Sequence, residues 1–249
     1  MKIVFMGTPE FAIPSLDSLI KNNFEVILVV TQPDRYQGRK RNIIYSPVKK
    51  YALDNNLAII QPVKIKESVD FIIEQKPDLI ITAAYGQILP RKLLDNVKAI
   101  NVHGSLLPKY RGGAPIQYSL FDGLEETGVT IMDMAYKMDS GDIIKQGIVK
   151  IDELDNYGTL SDKLASLGAK LLIDVLNNNY PRIKQDENLV TFAYTLKRSD
   201  EFLDFNNSSG DNINRLRGLL PNIGASFEIN DTILKIYNAK NSDIISNTP

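Results

Sequence analysis

Short apolar runs alternate with segments of helical spacing over the first hundred residues. Continuous apolar runs that end at Gly, Pro or Asn indicate strands buried on both faces of a sheet. Between them, apolar residues recur at the intervals expected of helices packed on one side. This alternation predicts a Rossmann-like, mostly parallel sheet with right-handed crossovers. The predicted strands are residues 2–6, 26–30, 58–60, 78–82 and 98–102, and the predicted helices are residues 9–20, 46–53 and 69–75.

The pattern changes after His103. Three Gly and two Pro fall within residues 104–115, which predicts a structured loop. Further strands are predicted at 129–134, 144–151, 225–229 and 233–237, and helices at 159–176 and 213–219. We expect a catalytic domain over residues 1–185, a polar linker over 186–200 and a partial second domain over 201–249. Those last residues are too few for an independent core.

The amino-acid composition mainly excludes certain kinds of site. The apolar fraction of 43% and the 30 acidic against 29 basic residues are ordinary for a soluble protein and give no overall basic charge. The chain has no Cys, which excludes disulfides, thiolate zinc sites and a cysteine nucleophile. A single His excludes a histidine-built metal site, so we expect no metal. No signal peptide or membrane-spanning stretch is evident, which predicts a cytoplasmic protein.

The turn after the first strand, Gly7-Thr8-Pro9, lacks the glycine pattern of a dinucleotide site. Candidate chemistry lies instead at the end of the fifth strand. Asn101 and His103 are two residues apart and point to the same side of a strand. The carboxyl ends of parallel strands are where open α/β sheets bind ligands. An amide and an imidazole aimed at one point can stabilise an oxyanion and exchange a proton, although a lone His is equally compatible with a structural role.

Asp139 lies in the run Asp139-Ser140-Gly141-Asp142. These residues are good turn formers, so an ordinary turn is one interpretation. The other is a carboxylate brought to His103, which would hold the imidazole charged and relay protons. Sequence spacing alone leaves both open.

Three blocks carry a resemblance to a known family: NVHGSLLPKYRGGAPI at 101–116, AYGQILP at 84–90, and GVTIM with MDSGDI between 128 and 143. They resemble the characteristic blocks of the folate-dependent formyltransferases. The opening IVFMGTPEFA and the run TQPDR…GR…SPVK are similar to the branch that formylates methionyl-tRNA. The resemblance extends from residue 2 to about residue 200.

The resemblance implies a formyltransferase fold with a small, apparently truncated C-terminal β-barrel-like (OB-like) domain. It also implies that the formyl group of 10-formyltetrahydrofolate, a cosubstrate, passes to the amine of initiator methionyl-tRNA for translation initiation, without a metal. The implied catalytic residues are Asn101, His103 and Asp139. The implied folate-binding residues are Ser105, Leu106, Leu107, Pro108, Tyr85, Gly86, Gln87, Ile88 and Leu89.

The acceptor is the least constrained part of this prediction. Residues 34–50 contain six basic residues against one acid. Contact with tRNA phosphates is implied for Arg35, Arg39, Lys40 and Arg41, and a solvated charged loop is the alternative. From Asp200 onward, seven acids outnumber four bases, where this branch normally carries a basic barrel. An N-formyltransferase acting on an amino-sugar nucleotide therefore stays open.

A catalytically inactive folate- or RNA-binding relic is a third possibility. It predicts loss of Asn101, His103 or Asp139, and all three are present. As partners we expect initiator methionyl-tRNA and the folate cosubstrate, with no membrane, and we expect a monomer.

Overall fold

The computed structural model describes residues 1–37 and 42–240. Its elements, in chain order, are β1 (Lys2–Gly7), α1 (Ile13–Lys21), β2 (Glu25–Val30), β3 (Arg35–Gln37), β4 (Asn42–Ile44), α2 (Pro47–Asp54), β5 (Ile59–Ile60), α3 (Val69–Glu74), β6 (Leu79–Ala83), α4 (Arg91–Asn96), β7 (Ala99–His103), α5 (Pro115–Phe121), β8 (Glu126–Asp133), β9 (Ile143–Lys150), α6 (Tyr157–Asn177), α7 (Ser209–Leu219), β10 (Ala225–Ile229) and β11 (Thr232–Ile236).

The main sheet has the order β5-β2-β1-β6-β7-β8-β9. The strands from β5 to β7 are parallel, and β8 and β9 continue the sheet in antiparallel fashion. The predicted Rossmann-like, mostly parallel fold is therefore confirmed. The end of β8 lies beside the start of β7, with Asp133 paired to Ile100, and the chain after β8 folds back to bring Asp139 within 3.8 Å of His103.

The central strands are apolar on both faces because helices cover both sides. In β1, Ile3 and Phe5 pack on one side with α1, α2 and α6, whereas Val4 and Met6 pack on the other side with α3 and α4. This alternation follows the two-residue period of a strand. It explains why the strand is a continuous apolar run in the sequence.

Some elements are not evident from the sequence pattern. In α4, Leu93 is the one buried side chain, which gives no periodic apolar face to recognise. The helix α5 begins at Pro115, directly after the Gly-rich loop, and the Pro and Gly content hides it. The hairpin of β3 and β4 consists of three-residue strands, shorter than pattern reasoning resolves.

The C-terminal part packs against the main body through α7. The Arg217 side chain donates to the backbone oxygens of Asp152 and Asp155, both at 2.7 Å, just before α6 begins. Leu216, Leu219 and Ala225 form a small core, with Phe121 of α5 packed against it. The hairpin of β10 and β11 follows. Within residues 1–37 and 42–240, no helix is long and apolar enough to cross a membrane.

Candidate active site

Polar side chains meet at the carboxyl edge of the sheet, where β6 and β7 end side by side. Thr82 of β6 is paired with Asn101 of β7, and His103 closes β7 two residues later. Asp139 reaches the same edge from the turn that follows β8. The structure thus brings together the three residues predicted to be catalytic.

His103 is almost fully enclosed, with 5% of its surface exposed. Its Nε2 lies 3.0 Å from the backbone oxygen of Tyr110. Because a carbonyl oxygen can only accept, Nε2 must carry a hydrogen and donate it there. The other ring nitrogen, Nδ1, lies 3.8 Å from Oδ2 of Asp139. Nδ1 is therefore the atom that can exchange a proton.

Asp139 has a left-handed backbone conformation, with φ at 48°, which an Asp tolerates better than most residues. Its carboxylate accepts a hydrogen bond of 2.8 Å from the backbone nitrogen of Gly112. The side-chain amide of Gln185 donates to the backbone oxygen of Asp139 at 2.9 Å. The run of turn formers is thus a turn in the structure, and it also brings a carboxylate to the imidazole.

Asn101 is held by Thr82, whose hydroxyl donates to Asn101 Oδ1 at 2.7 Å. With Oδ1 engaged, the amide nitrogen Nδ2 is the group left to meet a ligand. Thr82 and Gln185 are contacts that the sequence analysis did not identify. Thr82 could have been identified from the sequence, because it is a polar residue near the end of an apolar strand. No local sequence feature distinguishes Gln185 from the polar residues around it.

A cleft of about 630 Å³ opens over these residues. Its lining includes Asn101, His103, Asp139 and the predicted folate-binding run 85–89. That volume is within the usual range for sites that hold a small organic ligand.

The Tyr85 side chain is 3% exposed, and its hydroxyl has no hydrogen-bond partner among the described residues. Burial raises the pKa of Tyr85 to about 12, so the hydroxyl keeps its proton. The Tyr85 backbone oxygen is fixed by Thr8 and Gln32, each donating at 3.0 Å. The Tyr85 backbone is therefore a fixed part of the cleft wall.

The run Ser105–Pro108 does not line the cleft. Ser105 is buried and its hydroxyl donates to the Lys109 backbone oxygen at 2.7 Å. Thr130 and Gln146, on β8 and β9, bind the backbone of Ser105 and Leu107. These contacts fix the start of the loop that carries Tyr110. The run is thereby linked to His103, because the Tyr110 backbone oxygen binds His103 Nε2.

Of the residues predicted to contact tRNA, Arg35 is exposed at the start of β3. Arg39, Lys40 and Arg41 lie outside the described residues. Nearby, Lys49 is paired with Asp34 at 2.6 Å. In the described part of the chain, no group of three or more His, Cys, Asp or Glu could hold a metal ion.

Comparison with known proteins identifies the family of the chain. Residues 1–176 match the family model for formyl transferases, so the sheet topology and the family match together define a formyltransferase. The methionyl-tRNA formyltransferase of Latilactobacillus sakei is 48% identical over 245 residues, which cover 95% of this chain and 77% of that protein. The chain belongs to the methionyl-tRNA formyltransferase family. The predicted resemblance is confirmed, and with it the formyl-folate cosubstrate of the family.

Solved structures share the fold. A methionyl-tRNA formyltransferase from Clostridium thermocellum has a TM-score of 0.69 at 15% identity, covering 98% of this chain and 94% of that one. A sugar N-formyltransferase from Shewanella sp. has a TM-score of 0.72 at 22% identity and covers 99% of both chains. The fold alone therefore does not separate the two acceptors, whereas the sequence relationship does.

Proposed function

We propose that this chain transfers the formyl group of 10-formyltetrahydrofolate to the amine of initiator methionyl-tRNA at Asn101, His103 and Asp139. One observation carries the proposal: an amide, an imidazole nitrogen and a carboxylate converge on a single wall of one cleft. The relationship to the tRNA-formylating family supplies the acceptor.

The run 85–89 is the proposed seat of the folate ring system. Tyr85 and Leu89 are buried and rigid, whereas Ile88 is 73% exposed and extends the apolar wall towards solvent. Gln87 braces the run, because its side chain accepts from Ile65 N at 2.8 Å and donates to the Val63 backbone oxygen. When bound, the folate supplies an activated formyl carbon.

Asn101 and His103 are proposed to stabilise the negative charge that develops on the formyl oxygen. The Asn101 Nδ2 and a protonated His103 Nδ1 are hydrogen-bond donors fixed before the reaction starts, which is the arrangement that lowers the barrier to acyl transfer. The Tyr110 carbonyl prevents the ring from turning away, since it binds the opposite nitrogen.

Asp139 has two proposed duties. Its carboxylate lies 3.8 Å from His103 Nδ1, the ring nitrogen that does not contact Tyr110, and so helps to orient the imidazole. It is also the proposed base for the proton that the methionyl nitrogen loses as the new C–N bond forms. The folate nitrogen leaves with the electron pair of the broken carbon–nitrogen bond and takes up that proton. At 3.8 Å the two groups are too far apart for a direct hydrogen bond, so a small donor or acceptor can bridge them.

Folate binding by side chains of Ser105–Pro108 has no support in the geometry, and we propose an indirect role. Through Thr130 and Gln146, the run fixes the loop that leads to Tyr110. For the tRNA, Arg35 and the basic residues of 39–41 are the proposed phosphate contacts. Their positive charge is the property that phosphate binding needs.

The acceptor is tested by offering methionyl-tRNA and an amino-sugar nucleotide in parallel, each with 10-formyltetrahydrofolate. We expect formylmethionyl-tRNA and no product with the sugar. Transfer to the sugar alone would replace the proposed function with the rival one. Transfer to neither, by a protein that binds the folate, would indicate an inactive relic.

A further inference from the structure

Arg111 is fully buried, and it is the one Arg or Lys side chain among the described residues with no exposed surface. A guanidinium removed from water needs a counter-charge and a partner for its N–H groups. Glu187 supplies the charge, 2.7 Å from Nη2, and Gln185 supplies an acceptor for Nε and Nη2 at 3.0 and 2.9 Å. Both partners follow the region matched by the formyltransferase family model, which ends at residue 176.

The same Gln185 side chain reaches the catalytic turn with its other end. Its Nε2 donates to the backbone oxygens of Asp139 and Gly141, at 2.9 and 2.7 Å. The amide is thus used completely, with two bonds accepted and two donated. Its orientation is fixed, because a reversed amide would place N–H groups against the guanidinium and oxygen against two carbonyls.

Asp139 is consequently held by two sets of contacts, and Arg111 takes part in the positioning of both. Its backbone is bound through Gln185, and its carboxylate is bound by Gly112, the next residue after Arg111. The segment that carries Gln185 is pinned as well. Arg111 N donates to Thr191 O at 2.9 Å, and Ala193 N donates to Arg111 O at 2.8 Å.

We propose that Gln185, anchored by Arg111 and Glu187, is a positioning residue that sets the geometry between Asp139 and His103. The chain beyond residue 176 therefore completes the catalytic site. Gln185 is not among the residues that line the cleft, and its hydrogen bonds go to Arg111, Asp139 and Gly141, so it acts through Asp139. This inference rests on the proposed function for its kinetic test, and it has a second test that needs no substrate.

The kinetic test uses Gln185→Leu. Leu is similar in size to Gln but apolar, so the substitution removes all four hydrogen bonds of the amide and preserves the volume of the side chain. We expect kcat for methionyl-tRNA to fall by about ten- to a hundredfold, because misplacing a reacting group by about 1 Å has effects of that order. KM for both substrates should stay within about twofold, since uniform binding is untouched. Asn188→Leu is the matched control, because that exposed amide binds only Asp186 through its side chain. It should leave kcat unchanged.

A double-mutant cycle with Asp139→Asn separates positioning from general structural damage. If Gln185 acts through Asp139, Gln185→Leu should lower kcat of the Asp139→Asn enzyme by no more than about twofold. A full ten- to hundredfold further loss in that background would overturn the proposal, as would an unchanged kcat in the single variant.

The substrate-free test uses the single His of the chain, whose imidazole resonances need no assignment in a protein prepared without a histidine tag. We expect Gln185→Leu to shift the His103 C–H resonances and Asn188→Leu to leave them in place. Unmoved resonances in a folded Gln185→Leu protein would refute the positioning role, even if wild-type transfer to methionyl-tRNA is absent. Should Gln185→Leu not fold, Gln185→Glu, which keeps the acceptor for Arg111 and loses both donors, is judged by the same two outcomes.

Discussion

Gly112 is the residue where backbone conformation and catalysis are most tightly linked. Its φ is 130°, a region that residues with a Cβ rarely adopt, and a Cβ built there would lie 2.4 Å from the backbone oxygen of Ala193. That oxygen cannot withdraw, because it accepts a hydrogen bond from Ala114 N at 3.1 Å. Gly112→Ala must therefore strain the loop or push residue 193 away.

The strained φ alone costs about 1–3 kcal/mol. Overpacking against a fixed backbone atom adds a similar amount, about 1–3 kcal/mol. We expect Gly112→Ala to lower the free energy of unfolding by about 3 kcal/mol, which corresponds to about 6–12 °C in Tm for a chain of this size. Since Gly112 N also binds the Asp139 carboxylate, kcat should fall in the variant that remains folded.

Thermal unfolding and initial rates of formyl transfer measure the two effects. Gly210→Ala is the matched control, because its nearest atom, Ser208 Oγ, is 3.7 Å away and it lies in the first turn of α7. There Ala should stabilise the protein by up to about 1 kcal/mol through its helix propensity. Equal Tm values for Gly112→Ala and the wild type, with kcat retained, would refute the reasoning.

Three further predictions concern the cleft wall, the start of α6 and the basic segment. Tyr85→Phe removes a buried hydroxyl that has no hydrogen-bond partner among the described residues, so the folate-free protein should gain up to about 1 kcal/mol in unfolding free energy while KM for the folate stays unchanged; a lower Tm would contradict this. Burial raises the pKa of Asp155, but hydrogen bonds from Lys163 and nearby groups outweigh it and hold the pKa below 3.8. The stability that Asp155 contributes is thus present above the unfolded pKa and lost as pH falls through the lower, folded one. The difference in unfolding free energy between wild type and Asp155→Asn should shrink below about pH 4, with Asp162→Asn as a control. Replacing residues 39–41 with Ala should reduce the slope of log affinity for tRNA against log salt by about 3, and an unchanged slope would remove this segment from the RNA contact.

The placement of the candidate residues at the end of β7 could be predicted, because it follows from the two-residue period of a strand and from the topology of a parallel sheet. Asn101 and His103 are two residues apart on a buried strand, and strand period and sheet topology place them on one side at the binding edge. Asp139 could be nominated as a turn former. Its approach to His103 depends on the path of the segment between β8 and β9, which the local pattern does not fix.

The supporting contacts lay beyond sequence reasoning because they join residues far apart in the chain. Gln185 meets Asp139 across 46 positions and Arg111 across 74. Its surroundings in the sequence are polar, so that stretch reads as a linker. The folate-binding assignment of Ser105–Pro108 comes from the resemblance and stays a prediction: these residues are not among those that line the cleft, and the Ser105 hydroxyl donates to the Lys109 backbone oxygen.

Single-turnover formylation of methionyl-tRNA by wild type and His103→Ala is the most direct measurement of catalysis at this edge of the sheet. Folate binding is measured on the same samples. The rate should fall by about 10²- to 10⁴-fold while the Kd for the folate stays within about threefold, because in the proposed function His103 Nδ1 acts on the reacting atoms and the run 85–89 holds the folate ring. A His103→Ala enzyme that transfers formyl groups at close to the wild-type rate would contradict the assignment of the catalytic site.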